Sequence, residues 1–494
     1  MKHYTLTILL LIVTTPTIAQ IPDQPSVDFE IYYGYEWGAA GIASALISST
    51  TIIPPPVNLN ASIQKAIDYI IQNRFRFQGN DYFAWEKGPK LQTGIYPGIK
   101  YGAAGIILTL TDAYQYSKND SYLDLAKTTM QELMNQAVDN LTLPHWGYSY
   151  GTPSSGDGIA LTGINFGATG VIKAALALYK TTKDTSYLQI AQKIFNWIHS
   201  VSQTKGNDII SVPWYTHVPG FLSVEIYEYA RGMAGIAPTL MELGILAQNT
   251  TIQEFARKLG NYLVQTQLDD GSWTIQNDTD ISTPFLGTGT AGIILGLHET
   301  QKLAQQNWYD QAIQAGIKNL IAQLKQGIIS IDDKMAHNSL YEGTLGVFHA
   351  LFLLEEHLSD EQDQTVNEQF QAFLNSQIVI ATDAQQQLLF LKLDPETASR
   401  FDLSLGNGLA GLVSTLSQIK KNPEITINEK TYPVLQTAVR TLISLQNPNG
   451  SWNRQVTTSL PIISNTPAKT SPLPFLVMTI AILILSRKKI SNTK

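Results

Sequence analysis

Glycine, two residues, glycine, then an aliphatic residue: this short pattern returns seven times along a chain of 494 residues. It stands at Gly38-Ala-Ala-Gly41, Gly102-Ala-Ala-Gly105, Gly167-Ala-Thr-Gly170, Gly232-Met-Ala-Gly235, Gly289-Thr-Ala-Gly292, Gly343-Thr-Leu-Gly346 and Gly408-Leu-Ala-Gly411. The first glycines are 64, 65, 65, 57, 54 and 65 residues apart. A fixed period of this kind is the mark of stacked supersecondary units. Each pair opens an apolar, helix-like run. Residues three apart share a helix face, so the two glycines leave a bare strip that another backbone can approach. Each glycine costs about 1 kcal/mol of helix propensity relative to alanine, which packing must offset.

A second helix follows each first one. Ala126, Ala191 and Ala256 each lie 24 residues after the first glycine of their repeat, in the related runs Tyr122-Leu-Asp-Leu-Ala126, Tyr187-Leu-Gln-Ile-Ala191 and Glu254-Phe-Ala256. Asp120 or Ser121, and Asp184 or Thr185, suit the N-caps. Apolar residues such as Leu125, Met130, Leu133 and Ala137 recur at threes and fours, so one face is expected to be buried. Seven such pairs make two concentric helix layers. The terminal repeats resemble the middle ones, whereas an open solenoid needs polar capping repeats. The expected fold is therefore all-α, an α/α toroid of seven helical hairpins over residues 28–456.

Long connections lead into the glycine pairs, and five carry tryptophan: Trp85, Trp146, Trp214, Trp273 and Trp452. They are expected to gather over a mouth at the N-terminal ends of the inner helices, where loops on a rigid scaffold hold sites. Gln267 to Trp273 and Gln446 to Trp452 share Gln-x-x-x-Gly-x-Trp, a pattern seen in triterpene cyclases. No separate Asp-rich donor accompanies it, so both copies read as turns that tuck a tryptophan against helix ends.

Composition narrows the chemistry. There is no cysteine, which excludes disulfides, thiolate metal sites and cysteine nucleophiles. Net charge is -7 with no basic stripe, so no nucleic-acid partner is expected. Hydrophobic residues make up 44% and charged ones only 15%, which permits a large core. Residues 1–20 read as a secretory signal, 457–472 as a Ser/Thr/Pro-rich linker, 473–486 as a membrane segment or sorting anchor, and 487–494 as a basic cytoplasmic tail. These assign the toroid to the outer face of a cell membrane.

Candidate polar groups at the mouth are Glu228, Arg231, Glu342, Asp157, His145 and His217 for catalysis. Trp85, Trp146, Trp214, Tyr227 and Asn407 are candidates for substrate contact. Two carboxylates with unlike pKa values are what glycoside hydrolysis requires, and the aromatics would stack on sugars. Rim histidines His145, His217 and His337 beside Glu342 form the one metal alternative, although neither a metal nor a cofactor is expected.

The seven glycine-pair hairpins resemble the lanthionine synthetase C-like family. The likeness is clearest from Tyr96 through Ala126 and from Asn165 through Ala191. That resemblance implies a seven-hairpin α/α toroid acting on peptides. The family's cyclases hold zinc through two cysteines and a histidine placed before particular Gly-x-x-Gly pairs, and the zinc activates a thiol for addition to a dehydrated serine or threonine. Here the residues before the first glycine are Trp37, Tyr101, Phe166, Arg231, Thr288, Glu342 and Asn407. Leu405-Gly-Asn-Gly-Leu-Ala-Gly411 looks like a ligand-bearing copy with Gly406 and Asn407 in place of cysteine and histidine. The resemblance thus implies peptide modification or peptide binding without that metal. A glycan partner stays open beside it, and so does the choice between enzyme and binding module.

Overall fold

The structure is a computed structural model that describes residues 34–73, 75–77, 80–82, 97–100, 102–137, 146–148, 159–216, 224–277, 279–327, 338–382, 387–392, 400–453, 455–457 and 462–464. The expected leader, anchor and basic tail lie outside these residues. Among the described residues, no helix is long and apolar enough to cross a membrane.

Among the described residues, fourteen α-helices alternate between two layers. In chain order the hairpins are α1 (Ala39–Ser49) with α2 (Leu59–Gln72), α3 (Ala103–Ser117) with α4 (Asp120–Asn135), α5 (Ala168–Thr182) with α6 (Ser186–Val201), and α7 (Met233–Leu246) with α8 (Thr250–Gln265). They continue with α9 (Thr290–Leu303) and α10 (Asp310–Gln326), α11 (Thr344–Leu353) and α12 (Asp360–Gln377), and α13 (Leu409–Gln418) and α14 (Val434–Ser444). Odd-numbered helices pack side by side in sequence, and α13 packs back on α1. Each even-numbered helix lies against its own inner partner.

The sequence explains the layering. Inner helices such as α7 are buried nearly all round, as a helix enclosed by neighbours must be. Outer helices bury one face; in α6 it carries Tyr187, Leu188, Ala191, Ile194, Phe195 and Ile198. In α4 the buried face runs through Tyr122, Ala126, Thr129, Met130 and Leu133, while Leu125 is only partly covered. Asn119, one residue before the expected positions, caps α4 by accepting from the Ser121 amide. Before α6, Asp184 accepts from the Ser186 amide.

The first glycine of every pair is the N-cap of its inner helix, in extended backbone with negative φ. At Gly167, Gly232, Gly289 and Gly408 glycine is needed for space, not for φ, since a Cβ would lie 2.1, 2.1, 2.0 and 2.1 Å from a carbonyl oxygen of the approach segment. A Cβ on the second glycine would lie 1.8 Å from the Tyr35 carbonyl at Gly41, 2.2 Å from Ile99 O at Gly105 and 2.0 Å from Leu286 O at Gly292. The backbone that fills the bare strip is the repeat's own approach segment. The preceding repeat adds a second contact: Tyr35 Cβ faces Gly105, Ile164 Cγ2 faces Gly235, Tyr229 Cβ faces Gly292, Leu286 Cβ faces Gly346 and Leu340 Cβ faces Gly411. Leu405 of the last repeat completes the circle on Gly41 of the first.

Outside the helices, short antiparallel strand pairs fill the connections. Gln203–Gly206 pairs with Ile209–Ser211, and Ile378–Thr382 with Gln387–Leu391. Ile462–Ile463 adds to the latter pair, so the chain past 456 remains attached to the sixth hairpin.

Candidate functional site

The approach segments form a belt around the mouth. The Glu36 amide donates to Lys100 O, Lys100 to Asn165 O, Asn165 to Ala230 O, Ala230 to Gly287 O and Gly287 to Tyr341 O, all within 3.1 Å. Leu340 donates to Gly406 O and Gly406 to Glu36 O, both at 2.8 Å. Seven backbone bonds therefore close the ring at the point where the residues before each first glycine emerge.

Charged side chains meet on this belt. Lys100 Nζ lies 2.9 Å from Glu36 Oε1 and sits over the rings of Trp37 and Phe166, at 5.1 and 5.4 Å. Arg231 grips the fully buried Glu228 with Nε and Nη2, a two-point fork that satisfies both carboxylate oxygens. The Arg231 guanidinium also covers the Trp214 ring at 5.3 Å. Trp214 belongs to a small apolar cluster with Leu161, Phe166 and Ile226, and its buried indole N–H finds no partner among the described residues.

Glu342 is the titratable centre. The Thr288 hydroxyl donates to its Oε2 at 2.5 Å. Oε1 rests against the bare Cα of Gly287, where a Cβ would lie 2.7 Å away. The Glu342 amide donates to Ser339 Oγ at 3.0 Å, and that hydroxyl in turn lies 3.0 Å from Asn407 Oδ1. Burial pushes the Glu342 carboxyl up to about 7; Thr288 opposes this, Glu228 adds to it, and Lys100 and Arg231 draw it down. A carboxyl that shares its proton evenly at neutral pH, beside two cations, suits proton transfer.

Below the belt, polar groups join neighbouring inner helices. Ser44 Oγ donates toward Asp112 Oδ2 at 3.3 Å, and burial raises Asp112 to about 6. The Tyr229 hydroxyl donates to Glu299 at 3.0 Å, and burial raises Glu299 as well. Burial also presses upward on Glu242, but Lys173 and Lys180 hold it below its ordinary value.

The structure thus brings Glu228, Arg231, Glu342, Trp214 and Asn407 together along the belt. Tyr227 is instead buried edge-on against Tyr262 of α8. The Trp146 indole N–H donates to Leu133 O on α4, as Trp273 does to Leu263 O and Trp452 to Leu442 O. These three tryptophans fasten the ends of outer helices. Trp85, His145, Asp157, His217 and His337 lie outside the described residues. In the sequence Thr288 is named only as the residue before its glycine pair, in Glu342's register, and Lys100 is not named as a site residue. Carrying the alignment one position further upstream finds Lys100, which shares Glu36's register.

The family-type zinc does not fit. The residues before the described glycine pairs offer no thiolate or imidazole. At the position of a cysteine ligand, a Cβ on Gly406 would lie 3.0 Å from Glu36 Oε1 and closer still to its Cγ, so Glu36 fills that space.

The family description "Lanthionine synthetase C-like protein" matches residues 2–149 and 280–460. The unmatched middle contains Trp214, Glu228 and Arg231. No curated protein matches the chain in sequence. Among solved structures, nisin cyclase is similar with a TM-score of 0.52 and 14% identity, over 85% of this chain and 94% of the cyclase. A cellobiose 2-epimerase from Bacillus thermoamylovorans B4167 gives 0.46 at 12% identity, over 70% of this chain and 91% of that one. A D-mannose isomerase gives 0.46 at 13%, over 73% and 96%. At 14% identity the likeness to nisin cyclase is one of fold.

Proposed function

The chain belongs to the lanthionine synthetase C-like family, and from that premise we propose that its mouth binds a peptide and exchanges protons with it through Glu342, without a zinc-bound thiol. The observation that carries this reading is the Glu342 carboxyl held near neutrality beside Arg231 and Lys100. Glu342 takes or returns the proton. Lys100 and Arg231 stabilise negative charge that develops on a substrate carbonyl oxygen. Trp214, with Arg231 stacked on it, supplies an apolar wall. The leader-like and anchor-like ends of the sequence support placing this toroid outside the cell on a membrane tether. Protease accessibility on intact cells tests that placement.

One observation favours a second reading, in which the substrate is a glycan. Glu228 and Glu342 are close enough to influence one another, and paired carboxylates in unlike settings serve glycosyl chemistry. Incubating the full chain with a peptide library and a glycan panel in D2O, read by mass spectrometry, separates the two. The proposal expects deuterium taken up at a carbon-bound position of a peptide, with an apparent pKa near 7, and lost in Glu342→Gln. Turnover of glycans alone would establish the second reading. Peptide turnover that is unchanged in Glu342→Gln would overturn the first.

A further inference from the structure

A histidine pair stands at the opposite end of the ring from the mouth, where inner helices end and outer ones begin. His298, in the last half of α9, turns Nδ1 toward Nε2 of His357, which belongs to the short turn Glu355–His357 after α11. The two nitrogens are 3.0 Å apart and the rings are nearly perpendicular. At most one hydrogen can lie between them, so at least one lone pair points into the gap. Glu356 approaches the same histidine from the other side of its ring, with Oε1 3.6 Å from His298 Nε2, and its exposed side chain is free to swing to the gap. One ligand atom from each of the three residues comes within 4.8 Å of the other two.

The surroundings are those of a ligand set. Asp310, at the start of α10, places a carboxylate oxygen 4.0 Å from His357 Nδ1, the nitrogen facing away from the gap. Metal-bound imidazoles are commonly oriented by a carboxylate hydrogen-bonded to the other nitrogen; Asp310 faces that nitrogen at an ion-pair distance, while its Oδ1 accepts from the Gln301 side chain at 2.7 Å. The Gln314 side chain donates to the His357 carbonyl at 2.5 Å and fixes the turn. Lys302 reaches Glu356 at 3.5 Å, but both side chains are mostly exposed and free to part. Two nitrogens bound to tetrahedral zinc at about 2.0–2.1 Å stand roughly 3.3 Å apart. The observed pair is within about 0.3 Å of that spacing, and the carboxylate of Glu356 must turn toward the gap to complete the set.

We propose that His298, His357 and Glu356 bind one zinc-class divalent cation that clamps the fifth hairpin to the end of the sixth inner helix. Two imidazoles and one carboxylate favour zinc over magnesium, which prefers an all-oxygen shell. The site is separate from the mouth, and its occupancy does not depend on what the mouth binds. The test uses the full chain in detergent, stripped with a chelator and then titrated with zinc chloride. Wild type should take up one zinc per chain and gain about 3 °C in Tm at a hundredfold excess over Kd. Magnesium should do neither. His357→Gln should weaken zinc binding at least a hundredfold while leaving the metal-free Tm nearly unchanged. Glu356→Gln, at an exposed position where folding is not at stake, should weaken it about tenfold. Wild type that retains no zinc after desalting would overturn the proposal, as would both variants binding zinc as wild type does.

Discussion

At the scale of single residues, Glu342 couples stability to the same proton it is proposed to move. Its carboxyl sits near 7 in the folded chain against an ordinary 4.5, chiefly through burial. The folded state therefore holds the proton more tightly, and the associated stability is complete below about pH 4.5 and lost as pH rises through 7. Glu342→Gln fixes the neutral form. Relative to wild type it should be unchanged at pH 4.5 and more stable at pH 8, by about 2 kcal/mol after allowing for partial solvent access. Urea unfolding of both proteins at the two pH values checks this, and a difference that does not move with pH would count against it. Arg231 is the complementary case. Arg231→Met strips the fork from Glu228, a carboxylate with no exposure, and should cost about 3–5 kcal/mol. It also removes a cation that draws Glu342 down, so the Glu342 titration followed by carboxyl NMR should move upward.

At the scale of elements, the glycine pairs decide whether a hairpin can join the ring. Alanine at position 292 would be a better helix former by about 1 kcal/mol. Its Cβ, however, would lie 2.0 Å from Leu286 O and 2.8 Å from Tyr229 Cβ, neither of which can move without breaking the belt. Gly292→Ala should therefore destabilise by about 3 kcal/mol or more. Gly206→Ala, in a strand whose nearest obstacle is Ile209 Cδ1 at 3.8 Å, should change stability by less than about 1 kcal/mol. Chemical denaturation of the two variants decides it; equal costs would mean that the close approach is not the reason for glycine. This is also where sequence reading was strongest. The repeat located all seven inner helices, because a steric demand for glycine survives when side-chain chemistry drifts. The Gln-x-x-x-Gly-x-Trp turns were legible for a similar reason: Gly271 and Gly450 adopt positive φ, at 84° and 92°, which demands glycine. The site was legible only in part. Register showed which residues face the mouth, but not that Glu342 would meet Thr288 or that Lys100 would pair with Glu36. Those contacts depend on which repeats become neighbours across the belt, and on bare positions such as Gly287 and Gly406 that leave room for them. The strand pairs in the connections escaped too, since runs of two to five residues carry too little alternation to read.

At the scale of the whole molecule, closure changes how the ends behave. In an open array of hairpins, each unit is held by its neighbours, and the terminal ones have only one. Here the first and last hairpins meet in both layers. Gly406 donates to Glu36 O in the belt, and Leu405 seats on Gly41 in the inner layer. In the outer layer the Gln446 side chain donates to Ser62 O at 2.9 Å and accepts from the Ser62 hydroxyl at 2.8 Å. The equivalent glutamine in the middle of the chain, Gln267, donates in the same way to Ala312 O of the following hairpin. The seam between last and first hairpin is thus built like an ordinary joint. Hydrogen exchange read by mass spectrometry should then find α1 and α14 protected to within about tenfold of α7 and α8, since all would open only with the whole ring. An open spiral would fray from both ends, with α1 and α14 exchanging orders of magnitude faster than the centre. Gln446→Ala sharpens the distinction: in a closed ring, losing the two seam bonds should cost about 1–3 kcal/mol and raise exchange in α1 and α14 together, because cutting one joint of a circle creates both ends at once.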